Sequence, residues 1–283
     1  WGGNFAGEFV NAKQFEGVPM DKIIESPALR KNPLSYGPYY IKEVIQGEKV
    51  IFEANPYFYK GEPKIKRIEM EILPPSQQVA AIKSGKYDLV FMASTDIFPE
   101  IEKFDNINIA TRKANYMNYI AFKLGKWDAE KNENIVNPNA KMYDINLRKA
   151  IAYAIDNDAI GEQFFHGLAS TAKSQLSPSF PSLHNSDING YRIDIEKAKK
   201  LLDDAGYKDV DGDGIREGKD GKPIKFTFAM MSGGETAEPI SQYYLQQWKS
   251  IGLNVELVDG RLLDFNNFYD RVEADDPAID FCL

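Results

Sequence analysis

Apolar positions fall into short alternating runs in the first part of the chain and into helical stripes in the second. Within residues 143–160, YDINLRKAIAYAIDNDAI, the residues Leu147, Ile151, Ala154 and Ile155 recur at i, i+4, i+7 and i+8, one face of a helix over 145–156. Asp144 or Asn146 can accept an orphan amide at its start, and Asp156-Asn157-Asp158 breaks the pattern and caps a second turn. Residues 194–205 repeat the stripe with Ile195, Ala198, Leu201 and Leu202, between the N-cap Asp194 and the stop Gly206. Residues 237–251 carry it through Ile240, Tyr244, Trp248 and Ile251, ended by Gly252. Around these, residues 224–230 alternate as a strand, Leu253, Val255 and Leu257 mark another, 262–272 form a helix and 279–283 a last apolar strand. Strand–helix–strand–helix–strand predicts an α/β lobe with a parallel core, because each crossover covers a sheet face.

The first part reads differently. Residues 39–45 and 49–54 are strands joined by Gln46-Gly47-Glu48, and 64–73 alternates through Ile65, Ile68, Met70 and Ile72 to Pro74-Pro75. A small antiparallel sheet is predicted. A short helix near 21–25, helices at 76–84 and 96–104, and strands at 87–92, 106–111 and 116–122 complete this stretch. Residues 125–142 are polar and predicted to be a surface loop. The Pro/Ser-rich segment 174–187 is predicted to be a connector.

Composition narrows the partners. A formal charge of -8 and a pI near 5.0 leave no surplus of cations for phosphates, so no nucleic acid is expected. A single cysteine, Cys282, excludes an intrachain disulfide, and with His166 and His184 so scattered it makes no zinc site. No apolar run approaches the ~20 residues of a spanning helix. No signal peptide or lipidation cysteine opens the chain, and Trp1-Gly2-Gly3 reads as an internal or engineered start.

One local motif points to a cation. Counted from Asp209, the carboxylates of Asp209, Asp211, Asp213 and Asp220 fall at positions one, three, five and twelve of a loop with Gly214 at six. This is the oxygen-ligand spacing of an EF-hand loop; no cofactor is required by the sequence, and the loop is read as an acidic turn without metal, with a structural calcium as the alternative. Asp at position twelve and Arg216 at position eight depart from that pattern. The run Met230-Met231-Ser232-Gly233-Gly234-Glu235 precedes a helix and could receive a ligand at its amides. Gly212, Gly214 and Gly218 miss the dinucleotide spacing, and neither a phosphate loop nor a G-x-S-x-G elbow occurs.

Asp144, Arg148, Ala150, Ile151, Tyr153, Ala154, Ile155 and Asp156 resemble the D-x-x-x-R-x-A-I-x-Y-A-I-D signature of the family 5 extracellular solute-binding proteins, the peptide- and nickel-binding components of ABC importers. Asn32-Pro33, Gly37-Pro38-Tyr39, Asn55-Pro56, Tyr59 and Gly61-Glu62-Pro63 resemble a second block, Ser84–Asp88 a third, and the A-K-K-L-L-D-D-A-G-Y ending at Tyr207 a fourth. The resemblance implies a type II periplasmic-binding-protein fold: α/β, mixed sheets flanked by helices, in an incomplete two-lobe arrangement. Residues 1–112 would be a later segment of the first lobe and 113–283 a truncated second lobe, with the seam near 111–114. It implies a monomer, extracellular or periplasmic and lipid-anchored in a longer parent. Its role would be to capture an oligopeptide without chemistry and deliver it to an ABC permease. By position it nominates Tyr116, Tyr119, Ser232, Leu262 and Met92 as ligand-binding residues. The same scaffold tuned to a nickel chelate, a sugar or a peptide pheromone is the alternative, and an unrelated hydrolase or a calcium-stabilised module the second. In the peptide-binding relatives an aspartate following the strand that matches 279–283 pairs with the ligand amine, so residues 1–283 alone are expected to bind peptides weakly.

Overall fold

The computed structural model describes residues 12–31, 33–91, 93–111 and 117–283. The chain divides into two compact units, Trp1–Gln78 and Val79–Leu283. The expected seam near 111–114 falls largely on residues outside those described.

In the first unit, the helix predicted near 21–25 is a 3-10 segment, Met20–Glu25, followed by the single turn α1 (Pro27–Arg30). The Ser26 hydroxyl accepts from the Leu29 amide and a proline opens the turn, the usual chemistry of a helix start. Strands β1 (Tyr39–Ile45), β2 (Lys49–Ala54) and β3 (Arg67–Glu71) form an antiparallel sheet in that order, the first two as predicted. Val44 lies opposite Val50 and Val50 opposite Met70, while Ile41, Phe52 and Ile68 form a second such row. Residues facing each other across a ladder share a face, so one face is apolar across all three strands. The other carries charges: the Tyr40 hydroxyl donates to Glu53 at 2.7 Å, and Lys49 and Arg67 both reach Glu69.

In the second unit, α2 (Gln78–Ser84) and α3 (Phe98–Ile101) stand where helices are predicted. The strands predicted at 87–92 and 106–111 do not form: residues 87–91 and 106–111 join no ladder, and Met92 lies outside the described residues. An apolar run becomes a strand only when a neighbour takes its backbone groups, and among the described residues none does. Of the strand predicted over 116–122, Ala121–Phe122, β4, is the part in a ladder among the described residues 117–122. The segment 125–142, expected as a loop, contains a hairpin of β5 (Gly125–Asp128) and β6 (Glu133–Val136). Its turn is closed by Asp128 Oδ1, which accepts the amides of Glu130 and Lys131. Gly125 faces the backbone of Ile135 and Val136 so closely that a Cβ would overlap it. Polarity hid this hairpin, because neither face of it enters the core.

The remaining elements follow the predicted order: α4 (Ile145–Tyr153), α5 (Asn157–Phe165), α6 (Ile195–Ala205), β7 (Phe226–Ala229), α7 (Ala237–Ser250), β8 (Val255–Leu257), α8 (Phe265–Glu273) and β9 (Phe281–Cys282). The side chains of Asp144, Asp156, Asp194 and Asp264 cap α4, α5, α6 and α8 in turn. The sheet runs β4-β9-β7-β8, with β7 parallel to both neighbours and β4 antiparallel at the edge. The core is aromatic. Phe228 meets Trp248 and Phe281 with ring centroids 5.0 Å apart, and Tyr244 stacks on Trp248 at 5.4 Å. Trp248 is fully buried and its indole N–H donates to the carbonyl of Ile151 in α4, so α7 and the signature helix share one core. The connector 174–187 has no regular element, as expected.

Candidate functional site

β7, β8 and β9 point their carboxyl ends to one edge of the sheet. The chain leaves β7 toward β8 on one side and later adds β9 on the other, so the strand order reverses at β7. In open α/β sheets the crevice outside such a reversal is where ligands settle. The loop after β7, residues 230–236, is tied to the loop after β8 by main-chain bonds: the Ser232 amide donates to Leu263 O at 2.7 Å and the Leu263 amide to Met230 O at 3.0 Å. Gly234, at φ +63°, provides the turn into α7. β4 is antiparallel to β9, so Tyr119, two residues before Ala121, stands at the same edge.

The structure thus brings Tyr119, Ser232 and Leu262 to one edge of the sheet. Their surroundings differ. Tyr119 is exposed, with ring and hydroxyl available. The Ser232 hydroxyl donates to the same Leu263 carbonyl at 3.2 Å, so this side chain fixes the loop. Leu262 packs against the core cluster. Tyr116 and Met92 lie outside the described residues.

The acidic loop lies between α6 and β7. Asp209 accepts the amides of Gly212 and Gly214, Asp211 that of Asp213, and Asp213 that of Ile215. Carboxylate oxygens of Asp209, Asp211 and Glu217 lie within 4.8 Å of one another, a donor set of the hard-oxygen kind that suits a cation such as calcium. Asp213 and Asp220 are not in that group, and Asp220 pairs instead with Lys222. Glu217, which the spacing does not nominate, is buried and accepts the amide of Val210 at 2.7 Å. The loop folds Glu217 back across seven residues, and no periodic pattern reports that.

The loop is held at two points. Arg216 donates to Asp203, to Tyr207 O and to Ile251 O, and its side chain crosses Gly252, where a Cβ would come within 2.9 Å of it. Lys219 donates to Asp144, whose other oxygen caps α4. Burial opposes the charge on Asp144, but the Lys219 ammonium and the Asn146 amide outweigh it and hold the carboxyl below the ordinary range. Arg148 of the same signature donates to Met142 O and Tyr143 O. The signature residues Asp144, Arg148 and Asp156 therefore serve the scaffold, as caps and clamps.

Comparison with known proteins places this scaffold. A profile described as bacterial extracellular solute-binding proteins, family 5 middle, matches residues 8–279. Oligopeptide-binding protein OppA of Lactococcus lactis subsp. lactis is 33% identical over 265 residues, 93% of this chain and 44% of the relative. Oligopeptide-binding protein AppA of Bacillus subtilis is 32% identical over 243 residues, 84% of this chain and 42% of the relative. The chain thus spans less than half the length of these curated relatives. Lactococcal OppA, solved with an endogenous peptide in the closed conformation, superposes with a TM-score of 0.88 at 31% identity, over 96% of this chain and 51% of that one. The expected α/β fold of the type II periplasmic-binding-protein class is the fold of these neighbours.

Proposed function

The chain belongs to the family 5 bacterial extracellular solute-binding proteins, and from that premise we propose that it contributes to capturing oligopeptides outside the cytoplasm for an ABC permease. The observation that carries this reading is the superposition on a relative holding a peptide, at a TM-score of 0.88. The carboxyl-edge geometry supports it. An extended peptide can satisfy its main chain as an added strand would, while its side chains enter separate pockets. Tyr119 is the side chain at that edge best suited to contact it, offering area and a hydroxyl together. The role is binding without bond-making, so no residue is assigned to catalysis. Anchoring to lipid and an extracellular or periplasmic location belong to the same reading.

The test is calorimetry of residues 1–283 and of a protein of the relatives' full length, against one oligopeptide pool, with nickel–histidine and an oligosaccharide as controls. The longer protein is expected to bind peptides orders of magnitude more tightly. One charge-assisted pair alone contributes roughly 1.5–3 kcal/mol, or about one to two powers of ten in affinity. In the longer protein Tyr119→Ala should weaken peptide binding. Preference for either control over peptides would overturn the peptide reading, and equal affinities of the two proteins would show that the ligand contacts lie elsewhere.

A further inference from the structure

We draw no further inference here: the strongest candidate, the carboxylate cluster of Asp209, Asp211 and Glu217 on the loop between α6 and β7, is an acidic group whose members accept amides of their own loop, and no second observation points to an ion there.

Discussion

The two larger sheets use similar residues with opposite results. In β7, Phe226, Phe228 and Ala229 are buried and only Thr227 is partly open. In β3, Ile68 and Met70 alternate just as regularly, yet they are 38% and 48% exposed. The difference lies in what covers each sheet. β7 is the second strand from one edge of a four-stranded sheet, and α7, from the crossover that follows it, lays Tyr244 and Trp248 against Phe228. Among the described residues of the first unit the only complete α-helix is the four-residue α1, too short to cover β1–β3 as α7 covers β7. Alternation makes one face apolar. A second element must arrive to bury it.

The sharpest way to break this comparison is to remove an anchor from the covered sheet. Trp248→Ala deletes a fully buried ring that touches Phe228, Tyr244 and Phe281. It also leaves the Ile151 carbonyl without its indole donor. A loss of about 3–5 kcal/mol is expected, read from urea unfolding followed by circular dichroism. A loss below about 1 kcal/mol would mean that the aromatic cluster does not hold the second unit.

Tyr244 gives the same core a titration. Burial first, then the neighbouring Tyr243, push its hydroxyl up to about 12. The unfolded phenol ionises near 10, so the folded state resists losing this proton. The resulting stability is fully present below about pH 10 and is lost as pH rises toward 12, on the order of 2 kcal/mol in all. Tyr244→Phe should flatten that part of the alkaline profile of the urea midpoint. An unchanged slope would place the alkaline transition on another group.

Asp144 should show the opposite sign. Its carboxyl is held below the ordinary range, so its contribution is present above about pH 4 and disappears as pH falls through the lowered value. Asp144→Ala removes the α4 cap and the partner of Lys219 together. Lys219 is more than half exposed, which screens the pair, so the cap dominates and a loss of about 1–2 kcal/mol at pH 7 is expected. The variant should also lose part of the acid slope that sets in below about pH 4. Wild-type stability together with a wild-type acid slope would show that the clamp is ornamental.

These residues also mark how far the sequence could be read. Helix stripes and aspartate caps were legible because both lie within one element: Leu147, Ile151, Ala198, Leu202, Tyr244 and Trp248 are all buried as their spacing predicts. Strands were legible where a partner was near in sequence, as for β1 and β2, and misread where apolar runs found none, as at 87–91 and 106–111. Leu89 and Phe91 there are 77% and 72% exposed. The hairpin of β5 and β6 was missed for the complementary reason, since ladder bonds alone make it and side-chain polarity does not report them. The candidate site divides in the same way. The positions at the carboxyl edge come from the family resemblance, because the order of elements along the chain does not fix the order of strands in the sheet. The pairing of Lys219 with Asp144, 75 residues away, and the return of Glu217 to Asp209 depend on the folded path of a loop.

The smallest effect should come from the uncovered face. Replacing both Ile68 and Met70 by threonine keeps β-branched or strand-compatible side chains in β3 and leaves its ladder to β2 intact. Both side chains keep a third to a half of their surface in solvent, so less apolar area returns to water on unfolding than at a core position, and the loss should stay below about 1 kcal/mol. What should change is the surface. The row Ile41, Phe52, Ile68 and the row Val44, Val50, Met70 together make a contiguous apolar stripe, the kind that binds hydrophobic dyes and promotes association. The double substitution interrupts both rows at the β3 edge, so dye fluorescence should fall and the tendency to associate at high concentration should diminish. Trp248→Ala, by contrast, should raise dye binding by loosening a core. If the threonine pair instead costs 2 kcal/mol or more, with dye binding unchanged, the apolar face of β1–β3 is covered in solution and the contrast between the two sheets fails at its base.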